Sequence, residues 1–433
     1  MLRSGMAWMT VSAIVLGSYG PWAAATEGQG DANGISVKDL LDKYEIDLHG
    51  FYDIRSGYRL QNDRYEKDMI VNEFRWQLQG TRFSDEFDFT YKGDVVGDLV
   101  REEVWYDWRE TNIFMRSTDY MDVKLGRQIL TWGTGDLVFI NDLFPKDWES
   151  FFTGRDVEYL KAPSDAAKVS FFGDVSLDIV YTPQFDSDNF ITGERISFYN
   201  GNLGRLSGED AVISTDKPDR WFRDDELAVR LYKNVGNYEL AAYGYDGFWK
   251  SPGGQDPTRR AIFPDLRVYG LSGRGPVGPG IANIELGYYD SLDDSRGNDP
   301  MVNNSEMRYL VGYSQEVVQD LTLGLQYYVE QMMHYDEYTQ SLPAGAYRKE
   351  EWRDVITTRV TKLAMNQNLT LSLFAYYSPA DADAYLRPNV HYKVTDNLAV
   401  TAGGNVFFGS SEKTFFGQFE NNTNLYGGMR YSF

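Results

Sequence analysis

The chain has no cysteine among its 433 residues and three histidines, His49, His334 and His391. Without cysteine there is no disulfide framework, no thiolate zinc or iron–sulfur site and no c-type haem attachment. Histidines so scattered make no metal motif, and no metal ligand is assigned. Base is scarce beside acid: 42 Lys and Arg stand against 64 Asp and Glu, a formal charge of -22. That balance argues against nucleic acid, whose phosphates need cationic cover. Beyond the N-terminus no segment approaches the roughly 18 uninterrupted apolar residues of a membrane-spanning helix. No Gly-x-Ser-x-Gly elbow, dinucleotide fingerprint or phosphate loop occurs. No catalytic residue and no cofactor is therefore assigned, and the chain is not read as an enzyme.

Aromatics are abundant, at 15% of residues, with 31 Tyr and 25 Phe, and there are 41 Gly. At the N-terminus Arg3, the apolar stretch Met6–Leu16 and the small residues Ala23-Ala24-Ala25 form the three regions of an export signal. The division expected is a signal peptide over residues 1–25, a periplasmic lead-in over 26–43 and one folded domain over 44–433.

Within that domain the hydropathy alternates with period two, the period of an extended strand. In Tyr44–Leu60, Tyr52 and Ile54 share one face while Asp53 and Arg55 share the other. Phe74, Trp76 and Leu78 oppose Glu73, Arg75 and Gln77. Val104, Tyr106 and Trp108 oppose Arg101, Glu103, Trp105, Asp107 and Arg109. Such segments recur about eighteen times, most of them about 9–13 residues long, the length a tilted strand needs to cross a bilayer. Sixteen is the alternative count, because Gly97-Asp98 turns tightly where a long loop is due and Ile113–Arg116 reads as turn or strand. The connections alternate short and long. Tight links such as Gly173-Asp174 and Thr395-Asp396-Asn397 carry residues suited to turns. Between them run long ones such as Thr131–Ser164 and Gln184–Arg223. Parity of this kind puts all short turns on one rim and all long loops on the other. The expected fold is all-β, a transmembrane up-and-down antiparallel barrel.

With the apolar faces in lipid, the opposite faces line a lumen. Its candidate solute-binding residues are Arg55, Arg75, Arg101, Glu103, Asp107, Arg109, Arg230, Arg308, Arg359, Arg387 and Arg430. Asp53, Glu73, Glu226, Glu285 and Glu330 join them on the same faces. A ring of this many strands is too wide for side chains to fill, so a water-filled path is expected. One stretch departs from alternation. It runs from Gly126-Arg127-Gln128 through Trp132-Gly133 and on to Arg155-Asp156, and it is too apolar for a free surface loop. The segment 131–164 is expected to fold inward as a constriction, with Arg127, Gln128, Trp132, Asp136, Asp142, Asp147 and Arg155 supplying its contacts.

The final strand, Leu425 to Phe433, ends on an aromatic and resembles the closing strand of bacterial outer-membrane barrels. Gly126-Arg127-Gln128 followed by Trp132-Gly133 resembles the corresponding segment of alginate-export-type barrels, over those residues alone. The resemblance implies a porin-like channel in the bacterial cell outer membrane for passive passage of polar or charged small solutes or oligosaccharides. The alternatives are a sheath for a partner protein and a polysaccharide-export conduit. The interleaving of acids with the arginines speaks against alginate itself. The partners implied are outer-membrane lipid and lipopolysaccharide, the solute, and the barrel-assembly machinery reading the Phe433 strand.

Overall fold

A computed structural model describes Leu41 and residues 43–433. The expected signal peptide, residues 1–25, and all of the lead-in except Leu41 and Lys43 lie outside the described residues. Eighteen strands form one sheet. They are β1 (Ile46–Arg59), β2 (Met69–Arg82), β3 (Phe87–Asp98), β4 (Glu103–Thr118), β5 (Met121–Ile129) and β6 (Pro163–Phe171). There follow β7 (Ser176–Thr182), β8 (Glu226–Val235), β9 (Tyr238–Phe248), β10 (Asp265–Val277), β11 (Gly280–Ser291) and β12 (Glu306–Val318). The last six are β13 (Leu321–Met332), β14 (Trp352–Ala364), β15 (Leu369–Ser378), β16 (Asp383–Lys393), β17 (Leu398–Gly409) and β18 (Asn424–Ser432). Each strand pairs antiparallel with the next, and β18 pairs back onto β1, with Asp53 opposite Arg430. The sheet is therefore a closed up-and-down barrel with no free edge. The count is eighteen, not sixteen, because Ile113–Arg116 lies inside β4 and the turn that follows is only 119–120.

Alternation decides which way each strand faces. On β1, Tyr52, Ile54 and Tyr58 are exposed while Phe51, Asp53, Arg55 and Arg59 are buried. Val104, Tyr106 and Trp108 are likewise exposed on β4, and Leu425, Met429 and Tyr431 on β18. The belt of exposed apolar side chains is the surface a bilayer would cover. The chain end is fastened to β1: the amide of Phe433 donates to the carbonyl of Gly50 at 2.9 Å, and the reverse bond is 3.0 Å.

The connections keep the expected parity. On one rim they are short, such as 236–237 and 278–279; on the other they include 130–162, 183–225 and 333–351. Two tight turns, 99–102 and 379–382, interrupt the long-loop rim. The hydrophobic core lies between the inner face of the wall and the segment it encloses. Ile140, Phe144, Phe151, Phe152 and Leu160 of the segment 130–162 form it, together with inward residues such as Tyr385 and Phe407.

Candidate functional site

The segment between β5 and β6 lies inside the barrel. It is shorter than its sequence-based bounds, 130–162 and not 131–164, because Ser164 belongs to β6 and pairs with Gln128 of β5. Its first arm runs across β10 to β15. Glu285 on β11, 1% exposed, receives the amide of Gly135 at 2.7 Å and the Thr134 hydroxyl at 2.9 Å. It also receives the Thr134 amide, and from Asn141 the amide at 3.2 Å and the side-chain amide at 2.9 Å. The left-handed turn at Gly133, φ +79°, makes this approach possible, since a Cβ there would stand 3.1 Å from a Glu285 oxygen. Gln326 on β13 accepts the Asp136 amide at 2.7 Å and donates to its carbonyl at 2.9 Å. Asp136 pairs with Arg359 of β14 at 2.5 Å. Burial pushes the Asp136 carboxyl upward, and the guanidinium opposes that rise.

The second arm begins with a six-residue helix, Trp148–Thr153. Asp147 caps it, its carboxylate accepting the Ser150 amide at 2.7 Å, and Gly154 ends it at φ +88°. Phe152 packs edge-on against Tyr385 and Phe407, ring centroids 5.4 Å apart in each pair. Arg55 of β1 donates to the Gly154 carbonyl at 2.5 Å. Arg155 donates to both oxygens of Glu73 on β2, through Nε at 2.9 and 3.0 Å. Arg387 of β16 donates to the Arg155 carbonyl at 3.1 Å. Tyr159 then sits between two cations, its ring 4.0 Å from the Arg75 guanidinium and 4.9 Å from that of Arg109, and its hydroxyl donates to Asp94 at 2.8 Å. Arg109 donates to the Lys161 carbonyl at 2.8 Å, and Arg430 pairs with Glu158 at 3.0 Å and with Asp53 at 3.1 Å.

Most of the lumen arginines of the sequence analysis thus hold the inward segment. Arg55, Arg75, Arg109, Arg359, Arg387 and Arg430 all contact it, and Arg101 pairs with Glu149 of its helix at 2.7 Å. Arg230 and Arg308 stand apart from it, paired with Glu239 and Glu306 at 2.7 Å each. Two residues expected in the constriction loop are strand residues. Gln128, fully buried on β5, donates to the Ala166 carbonyl of β6 at 2.9 Å. Arg127 shares the outer face of Leu125, where its guanidinium lies 5.6 Å from the Trp108 ring and 3.1 Å from Asp165. Strand alternation carries both there, because β5 continues through Ile129. Trp132 packs on Phe144, and Asp142 is held by Lys146 at 3.0 Å and Thr131 at 2.8 Å.

Sequence reasoning missed Tyr159, Glu149 and Arg195. The connection 183–225 carries Arg195 into the interior, where it is 1% exposed. It pairs there with Asp98 of β3 and with Glu149 at 3.0 Å. No spacing announces a residue that acts from an irregular loop; the one available signal was the surplus of acid on β3, where three aspartates stand against one lysine.

Two cavities flank the segment. One, about 380 Å³, gathers seven of the site residues expected from sequence, Arg75, Arg101, Glu103, Asp107, Arg109, Asp147 and Arg155. The other, about 670 Å³, opens toward the long loops and has an apolar floor made by the segment itself.

No protein-family model and no curated protein sequence matches the chain. Solved outer-membrane porins share its architecture. OccAB3 of Acinetobacter baumannii matches with a TM-score of 0.56 at 10% identity, over 90% of this chain and 99% of that one. OccD3 (OpdP) of Pseudomonas aeruginosa matches with a TM-score of 0.52 at 9% identity, over 90% and 91%. At such identities the likeness is one of fold. The alginate-export resemblance over Gly126–Gly133 finds no counterpart among these matches.

Proposed function

We propose that the chain is a channel of the bacterial outer membrane through which small polar or charged solutes pass down their gradients. One observation carries the reading. A closed barrel with an exposed apolar belt encloses a segment fastened to β1–β4, β10, β11, β13–β16 and β18, with a polar cavity and a larger, mainly apolar one left beside it. A barrel meant only to be closed needs no such segment; one meant to discriminate among solutes needs a narrowing whose walls are fixed. The clustering of four arginines and four acids around the 380 Å³ cavity supports passage of charged solutes along β2–β4. The occupied lumen also speaks against a sheath for a folded partner and against a polysaccharide conduit, since both require an open bore. No reaction is proposed. The partners proposed are lipid and lipopolysaccharide around the belt, and the assembly machinery engaging the strand that ends at Phe433.

Planar-bilayer recording of the purified mature chain tests the reading. Discrete conductance steps are expected, and they should grow when Ile140–Asp156 is replaced by a short Gly–Ser linker. Absence of steps, or steps unchanged by the replacement, would refute it. A salt gradient in the same experiment reports the sign of ion selectivity.

A further inference from the structure

The 670 Å³ chamber differs in chemistry from its smaller neighbour. Leu137, Val138, Phe139, Leu143 and Trp148 of the inward segment form its floor, and each is only half-buried. Phe190 and Ile191 from the connection 183–225 and the half-exposed Phe415 add to the walls. These apolar surfaces face the space from which a solute would arrive, because the remaining lining comes from the long-loop rim, including Ser251, Asn303, Tyr347 and Lys413. Inside a water-filled channel an apolar floor is a barrier to ions, which must shed hydration there, and a favourable contact for a molecule with an apolar body.

The charges around the chamber do not select a sign. Lys146 is paired with Asp142, Lys250 with Glu226, Arg308 with Glu306, and Arg353 with both Glu330 and Asp381, while Lys349, Lys413, Glu350 and Glu351 bring two charges of each sign to the rim. Two of the arginines are spread over rings, Arg308 at 3.9 Å from the Tyr289 centroid and Arg353 at 5.1 Å from that of Phe415. One polar group has no partner: Trp249 lines the chamber, and its buried indole N–H has no hydrogen-bond acceptor. A pocket of this size with mainly apolar walls and few polar groups is what a small organic ligand needs.

We propose that the chamber binds uncharged ring compounds, aromatic or alicyclic, that carry a hydrogen-bond acceptor, and holds them above the constriction. This rests on the channel reading only in treating the occupant as a solute in transit. The binding itself is tested without conduction, on the full mature chain in lipid nanodiscs. The probe is 4-nitrobenzyl alcohol, whose nitroaromatic ring quenches the fluorescence of Trp148 and Trp249. Quenching should saturate, and Phe139→Ser with Leu143→Ser should raise the dissociation constant about tenfold or more. The same ring carrying charge, as 4-nitrobenzoate or 4-nitrobenzylammonium, should bind no tighter than the alcohol, and maltose should not displace it. Non-saturating quenching, an unchanged constant in the double variant, or tenfold tighter binding of either ion would overturn the proposal. Heat-modifiable migration on gels reports whether the double variant folds; if it does not, Phe415→Ser on the opposite wall repeats the comparison. Saturable binding by a barrel that shows no conductance would sink the channel reading and leave this one standing.

Discussion

Replacing Glu285 with alanine isolates the hold of the wall on the inward segment. The carboxylate sits on β11, buried, and gathers five bonds from Thr134, Gly135 and Asn141. A hydrogen bond to a charged group contributes about 1.5–3 kcal/mol net. Water entering the vacated space would satisfy some of the freed donors. Counting only two of the five as lost gives about 3–6 kcal/mol, or roughly 10²- to 10⁴-fold in the equilibrium for lifting the first arm off the wall. The barrel ladder does not pass through this carboxylate, so the loss is local. Amide hydrogen exchange, read by mass spectrometry in nanodiscs, separates the two regions. Peptides covering 133–142 should exchange about 100-fold faster or more, while those covering β10 to β12 keep their protection. Glu285→Gln retains one acceptor oxygen and should fall between. Wild-type exchange over 133–142 in Glu285→Ala would refute the idea that this residue anchors the arm. Acceleration across the whole barrel would refute its locality.

Gly154→Ala would place a methyl group 2.2 Å from the Tyr426 ring at a backbone angle of φ +88°; the left-handed conformation alone costs about 1–2 kcal/mol. Limited trypsin digestion should then cleave after Arg155 in the variant and not in the parent protein. Arg195→Met leaves the buried carboxylate of Asp98 without its cation and removes one of three from Glu149, which keeps Arg101 and Arg155. Breaking a buried pair costs about 3–5 kcal/mol, so the connection 183–225 should become protease-sensitive while heat-modifiable migration of the barrel persists. Burial pushes the Glu66 carboxyl, in the loop after β1, up to about 8 from 4.5. Because this acid's folded value is raised, its protonated form favours the packed loop. That contribution is complete below about 4.5, diminishes above it and is gone once the pH passes about 8. Exchange of amides over 61–68 should therefore quicken between pH 6 and pH 9 beyond its intrinsic rate, and Glu66→Gln should abolish that excess.

The barrel was legible because one physical rule governs every strand. A wall between hydrocarbon and a wet interior forces alternation, and Tyr52, Trp76, Tyr106 and Met429 obey it in strands far apart in sequence. Loop parity added the topology, with the turns 99–102 and 379–382 as its only breaks among the described residues. Arg127 shows where the rule was applied too weakly. Its place beside Leu125 in an unbroken alternation already puts it outside, and only the motif reading drew it inward. Partners were not legible. Period two says that Arg155, Glu73 and Arg195 cannot all be read alike, since two of them come from irregular segments whose course no periodicity encodes.

That gap changes what the arginine ladder means. Read from strands alone, Arg55, Arg109, Arg359, Arg387 and Arg430 line up as free cations awaiting an anionic solute. In the folded chain they are spent on carbonyls and carboxylates of the segment that crosses the lumen. Arg359 and Arg430, committed to carboxylates of the segment, exert a much weaker field on a passing ion, because each pair is close to neutral at distances beyond its own separation, while the carbonyl-bound arginines are fixed in place. The discriminating surface therefore shifts from the wall to the segment. Its contour decides which solutes fit, and the arginines decide how rigidly that contour is held. Substituting a wall arginine should accordingly alter the steadiness of the open level in single-channel records more than it alters the sign of ion preference.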